Sequence, residues 1–116
     1  MEISVLGVTY TLEYTEKSRD PNLESCDGYC DSSIKKIVVR DYTDEERKEP
    51  RALKDLDAYK HKVMRHEIVH AFLYESGLSI NTLQFEGGWA TNEELVDWVA
   101  VMGPKLYAAW AAANCL

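Results

Sequence analysis

The sequence predicts an α+β protein, with strands in the first part of the chain and helices in the second. Near the start, β-branched and aromatic residues alternate with other types, which is typical of strands. From Leu53 to Ser76, apolar residues recur at three- and four-residue steps, which is typical of a helix. With 116 residues, 46% hydrophobic and 28% charged, the chain has the length and composition of one globular domain, and we assign residues 1–116 to it.

Two segments have the composition of strands. The run ISVLGVTYTLEY, from Ile3 to Tyr14, alternates around Gly7 and predicts a short hairpin or one bulged strand. The run IKKIVVR, from Ile34 to Arg40, predicts a strand with at least one well-covered face. The polar residues 15–25 predict a loop, and the highly charged residues 41–50 predict an exposed, mobile connector.

Three features organise the helical part of the chain. The central helix should end before Gly77, and its second half, VMRHEIVHAFLY, is apolar on nearly every side and should be buried. Another helix, TNEELVDWVAVM, should open with a capping box formed by Thr91 and Glu94. Gly103 and Pro104 then predict a break or kink before the helix-forming run KLYAAWAAA.

Charge and hydropathy make some partners and locations less plausible. The formal net charge of −7 repels phosphate backbones and anionic lipids, so we expect neither nucleic acid nor a membrane surface as a partner. The start, MEISVLGVTY, lacks the basic and apolar regions of a secretory signal, and no stretch reaches the length of a membrane span. We therefore expect a cytoplasmic protein.

The three cysteines, Cys26, Cys30 and Cys115, are odd in number and form no CxxC pair. A full disulfide framework is therefore impossible. Cys26 and Cys30 have no second cysteine pair with which to complete a zinc site, so we predict free thiols.

The five residues from His66 to His70 match the HExxH pattern. In a helix the two histidines lie one turn apart, where both imidazoles can bind one metal ion, and Glu67 flanks the same position. The alternative is a pair of core histidines with partners of their own and an ordinary salt bridge at Glu67. His61 lies five residues before His66, roughly 140° away around a helix, so we expect it to be exposed and not a ligand.

A third metal ligand must be a carboxylate, because no histidine follows His70. The downstream glutamates are Glu75, Glu86, Glu93 and Glu94. Glu75 shares the helix with the histidines and should point away, while Glu86 lies in a glycine-rich stretch. Glu93 and Glu94 open a helix that holds a ligand rigidly, and the capping box uses Glu94. We therefore assign Zn²⁺ to His66, His70 and Glu93, with Glu94 as the alternative third ligand.

The chain resembles the gluzincins, in which HExxH is followed by NExxxD, matched here by Asn92 to Asp97. It is more similar still to small prophage-encoded zincin-like proteins and ImmA/IrrE-type metallopeptidase domains, through KKIVVRD before the HExxH helix and NEELVDWVA after it. The likeness covers roughly residues 34–100; one departure is Val99, where those domains tend to carry phenylalanine. It implies a minimal zincin-like fold, a small antiparallel or mixed sheet packed on the HExxH helix and C-terminal helices.

These residues point to hydrolysis of peptide bonds in a protein or peptide substrate. Two histidines and a glutamate leave one zinc position for water, with Glu67 as the general base. Asp97, four residues after Glu93, could accept a hydrogen bond from a metal-bound histidine. If the IKKIVVR strand edges the cleft, a peptide could pair with it, and Lys36→Pro should impair cleavage.

Two other functions remain open. One is a non-catalytic, zinc-stabilised module that binds a protein partner through an acidic surface. The less favoured one is an acidic mimic of nucleic acid, since the acidic residues are scattered along the chain. No feature of the sequence specifies the substrate or the oligomeric state.

Overall fold

The computed structural model describes residues 1–78 and 93–116, with only the backbone of Glu93, Val96, Asp97 and Ala100. It has an α+β fold, as predicted, with a four-stranded mixed sheet and helices. The strands are β1 (Glu2–Val5), β2 (Val8–Glu16), β3 (Gly28–Asp31) and β4 (Lys36–Asp41). The helices are α1 (Asp44–Arg47), α2 (Leu56–Glu75), α3 (Glu93–Ala112) and a 3₁₀ helix (Pro21–Glu24).

The first two strands form the predicted hairpin. Val5 pairs with Val8, so Leu6 and Gly7 alone make the turn. Both residues have positive φ, 50° and 87°, as the tight turns that match the twist of a hairpin require. The prediction of a loop over residues 15–25 was wrong at both ends, because β2 continues to Glu16 and the 3₁₀ helix follows an N-cap at Asp20.

The sheet has the order β1-β2-β4-β3. β2 pairs with β4 in parallel, whereas β1–β2 and β3–β4 are antiparallel. The predicted strand is confirmed as β4, and its Ile37, Val38 and Val39 are all buried, so both of its faces are covered. The sequence did not predict β3, because its four residues, GYCD, show no strand pattern and depend on pairing with β4.

The charged residues 41–50 contain a helical turn, α1, which the sequence did not predict. The Thr43 hydroxyl accepts a hydrogen bond from the backbone N–H of Glu46 at 3.2 Å and caps α1. Arg47 then pairs with Asp57 at 2.9 Å, which ties α1 to the first turn of α2. The mobility expected of this segment stays a prediction.

Both long helices match predicted segments. α2 is capped at its start by Asp55, which accepts from the N–H of Ala58 at 2.9 Å, and Gly77 follows it with a φ of 83°. α3 continues through Gly103 and Pro104, so of the predicted break or kink the break is wrong and the kink stays a prediction. Buried residues after the proline, such as Leu106, hold that half of α3 on the core. The predicted cap at Thr91 lies outside the described residues.

α2 lies on the sheet with one face only. Besides Leu56 at its start, its buried apolar residues are Met64, Ile68, Ala71 and Phe72, and these four join strand and α3 side chains in the hydrophobic core. His66 and His70 are exposed. The prediction that the second half is buried all round was therefore wrong, because the sheet covers a single side of the helix. No helix in the described part of the chain is long and apolar enough to span a membrane.

Gly28 lets the edge strand β3 approach α2 closely. A Cβ at this position would lie 2.7 Å from Cγ1 of Val63 and 3.1 Å from the carbonyl oxygen of Val38. Val63 is β-branched and stiff, and the backbone of β4 is fixed by pairing on both sides. The side chain of any other residue here would push β3 and α2 apart.

We predict that Gly28→Ala lowers the free energy of unfolding by about 1–3 kcal/mol through overpacking. Gly103→Ala is the matched control, since a Cβ there meets no atom within 4 Å and alanine favours a helix. Urea denaturation of both variants checks this, and equal stability of the two would contradict the close approach.

Candidate metal centre

His66 and His70 bring their Nε2 atoms together on the exposed side of α2. The two atoms lie 3.0 Å apart, and the ring centroids are 4.7 Å apart with the ring planes at 71°. The four-residue spacing places both rings on the same helical face. This distance is also that of a hydrogen bond between the two rings, in which the tautomers decide which nitrogen donates.

This pair of nitrogens fits a zinc ion. Two imidazole nitrogens about 2.0–2.1 Å from a tetrahedral zinc lie roughly 3.3 Å apart, close to the observed separation. Because both rings are exposed, a metal bound between them can also reach ligands from outside α2.

Glu67 occupies the boundary between this exposed face and the core. It is buried, with a relative exposure of 7%. Burial is unusual for a glutamate, because a carboxyl group with an ordinary pKa is charged at neutral pH. Burial raises the pKa of the carboxyl, and positive charge on His66 and His70 opposes that rise. The helix therefore places a carboxylate beside the two histidines in a partly desolvated position.

A cleft of about 210 Å³ opens beside the histidines, between α2 and the start of β3. It is lined by Asp27, Gly28, Tyr59, Lys62, Val63, His66 and Glu67. The Tyr59 hydroxyl donates to Asp27 at 2.7 Å and links the two walls. A larger groove, about 640 Å³, lies between the hairpin turn and α3 and is lined by none of the predicted site residues.

Sequence reasoning missed three polar residues of this cleft. Tyr59 and Lys62 lie seven and four residues before His66, so helical spacing alone puts them on the same face of α2. Asp27 had no such signal, because its position depends on the pairing of β3 with β4.

The predicted carboxylate ligands fall largely outside the described side chains. Glu93 begins α3, but its side chain and that of Asp97 are not described, and Glu86 lies in residues 79–92. Glu94 is exposed. Within the side chains that are described, no group of three or more His, Cys, Asp or Glu could hold a metal. The third ligand stays a prediction.

Glu75 is engaged elsewhere, in agreement with its exclusion as a ligand. Its carboxylate accepts hydrogen bonds from Lys35 Nζ at 2.5 Å and from the Tyr10 hydroxyl at 2.7 Å. These bonds lower the pKa of Glu75, with the Lys35 bond having the largest effect. They join the end of α2 to the sheet, so the role of Glu75 is structural.

The three cysteines are free thiols, as predicted. Cys30 is half-buried on β3, and burial, followed in effect by the charge of Glu67, raises its pKa to about 11. His61 is half-buried, not exposed as predicted.

The idea that β4 edges the cleft was wrong. β4 lies inside the sheet between β2 and β3, so its backbone groups are paired on both sides. Lys36→Pro would consequently damage the sheet itself and gives no test of peptide binding. The edge strand next to α2 is β3.

The chain matches no known protein-family model, no curated protein and no solved structure.

We predict that Glu75→Gln lowers the free energy of unfolding at pH 7 by about 1 kcal/mol, through loss of charged hydrogen bonds. Because the folded pKa of Glu75 is lowered, its stabilisation is complete above the unfolded pKa of about 4.3 and is lost as the pH falls through the folded value. The variant should thus show a shallower loss of stability below pH 5. Glu24→Gln, at an exposed glutamate, is the control, and identical pH profiles for the two variants would contradict the assignment.

Proposed function

We propose that this chain is a zinc-dependent metallopeptidase whose metal is held by His66, His70 and Glu93. The observation that carries the proposal is the 3.0 Å separation of the two histidine Nε2 atoms on an exposed helical face. The first residue of α3, Glu93, supplies the carboxylate in this proposal, with Glu94 as the alternative.

In this proposal, residues of the chain provide the general base and position the substrate. Zinc held by these residues would supply water with a pKa lowered towards about 7 and a Lewis acid for a substrate carbonyl group. Glu67 follows His66 directly and lines the same cleft, so it is placed to accept a proton from water and return it to the leaving amine. Burial of Glu67 keeps its carboxylate at the wall of the cleft.

The free edge of β3 supports a peptide as the substrate. Within the described residues β3 pairs only with β4, so the N–H and C=O groups on its other side are available to an extended peptide. The same strand forms a wall of the cleft at Gly28. A peptide paired with β3 would pass beside His66 and Glu67.

The resemblance to prophage-encoded zincin-like and ImmA/IrrE-type domains agrees with this proposal, as does the packing of a mixed sheet on the HExxH helix. A cytoplasmic location is part of the proposal and is supported by the three free thiols.

We predict that the untagged protein binds about one equivalent of zinc and that His66→Ala and Glu93→Ala lose it, because two remaining ligands hold zinc weakly. His61→Ala is the matched histidine control and should retain zinc, as should Glu94→Ala if Glu93 is the ligand. Elemental analysis after dialysis checks this. A wild-type protein that neither carries nor takes up zinc would refute the metal site.

We predict that Glu67→Gln keeps zinc and stability but lowers peptide hydrolysis by at least about 100-fold, the usual effect of losing a general base. Cleavage of a peptide mixture, followed by mass spectrometry, measures the change. Full zinc content with no hydrolysis by the wild type would favour the non-catalytic zinc module instead.

A further inference from the structure

We infer that Lys62 is a specificity-determining residue that binds a carboxylate of the peptide substrate. This inference rests on the proposed peptidase function and names the chemistry of the substrate that the cleft selects. The carboxylate is either an acidic side chain or the C-terminal group of the peptide.

Lys62 is positioned toward the substrate by α2. It lies one helical turn before His66 and lines the same cleft. Its Nζ lies 5.9 Å from the centroid of the Tyr59 ring. Tyr59 lines the same cleft, on the side of β3. Because the Tyr59 hydroxyl is bonded to Asp27, the ring is held in place beside the lysine.

The charge of Lys62 is available, unlike that of neighbouring cations. Lys60 pairs with Asp41 at 2.7 Å, and Arg65 donates to the Cys115 carbonyl at 2.5 Å. Among the described residues no carboxylate lies within ion-pair distance of Lys62, and its side chain is exposed. Lys62 is thus a cation without an ion-pair partner in the described part of the chain, in the cleft of a protein whose net charge is −7.

Two acidic residues line the same cleft, Asp27 and Glu67. Asp27 accepts a hydrogen bond from the Tyr59 hydroxyl at 2.7 Å and lies 3.7 Å from Arg40, so its partners are residues other than Lys62. Glu67 is buried, and among the described residues no ion pair joins either carboxylate to Lys62. A substrate carboxylate near Lys62 would therefore meet a positive charge.

The spacing limits where the carboxylate lies on the substrate. One helical turn is about 5.4 Å, and an extended peptide advances about 3.3 Å per residue. The acidic group should therefore lie within roughly three residues of the bond that is cleaved, on the side that faces the start of β3.

The test compares cleavage-site profiles of the zinc-loaded full chain and its variants. The probes are two synthetic mixtures of random-sequence decapeptides, one with free and one with amidated C-termini, analysed by mass spectrometry. Lys62→Glu and Lys62→Gln are compared with Lys54→Glu, which makes the same charge change at an exposed lysine outside the cleft. Circular dichroism confirms that the variants fold.

We expect the wild type and Lys54→Glu to show a roughly fivefold enrichment among the cleaved bonds, which is the effect of one exposed ion pair. The enrichment is for Asp or Glu at one position near the cleaved bond, or for bonds near a free C-terminus. Lys62→Gln should abolish the enrichment, and Lys62→Glu should favour Lys or Arg there. Loss of the preference on amidation identifies the C-terminal carboxylate, and its persistence identifies an acidic side chain.

Cleavage without an acidic preference, or the same preference in Lys62→Glu, would overturn this inference and leave the peptidase proposal standing. No cleavage of either mixture by the zinc-loaded wild type would overturn both.

Discussion

The packing of one face of α2 on the mixed sheet is the constraint on which the site depends. Met64, Ile68 and Phe72 are fixed in the core, and the 3.6-residue period then turns His66 and His70 outward. Glu67 falls between the two faces and is buried beside the histidines. The hydrophobic core thus fixes the orientation of α2 and, through it, the side chains of His66, His70 and Glu67.

A second constraint is the close approach of β3 to α2 at Gly28. This approach brings β3, an edge strand of the sheet in the described part of the chain, along the cleft, while the hydrogen bond from Tyr59 to Asp27 ties the two walls together. One wall of the cleft and the two histidines of the proposed metal site therefore lie on one helix, in which Tyr59, Lys62 and His66 follow each other at three- and four-residue steps. A short strand that contributes little to the core shapes the site.

The sequence predicted the parts of the structure that local patterns determine. The hairpin around Gly7, the β4 strand and the two long helices follow from periodicity and turn residues, and the pairing of His66 with His70 follows from helical spacing. It did not predict β3 or Asp27, because the four residues of β3 show no strand pattern and their places depend on pairing with β4. It also overestimated the burial of α2, since apolar composition does not reveal how many sides of a helix are covered.

The central claim is that His66 and His70 bind one zinc ion through Nε2, and X-ray absorption at the zinc edge of the zinc-loaded protein tests it most directly. The account predicts a first shell of nitrogen and oxygen at about 2.0–2.1 Å, with the outer-shell scattering of two imidazole rings that is lost in His66→Ala. A sulfur shell at about 2.3 Å would mean that cysteines hold the metal and would contradict the account.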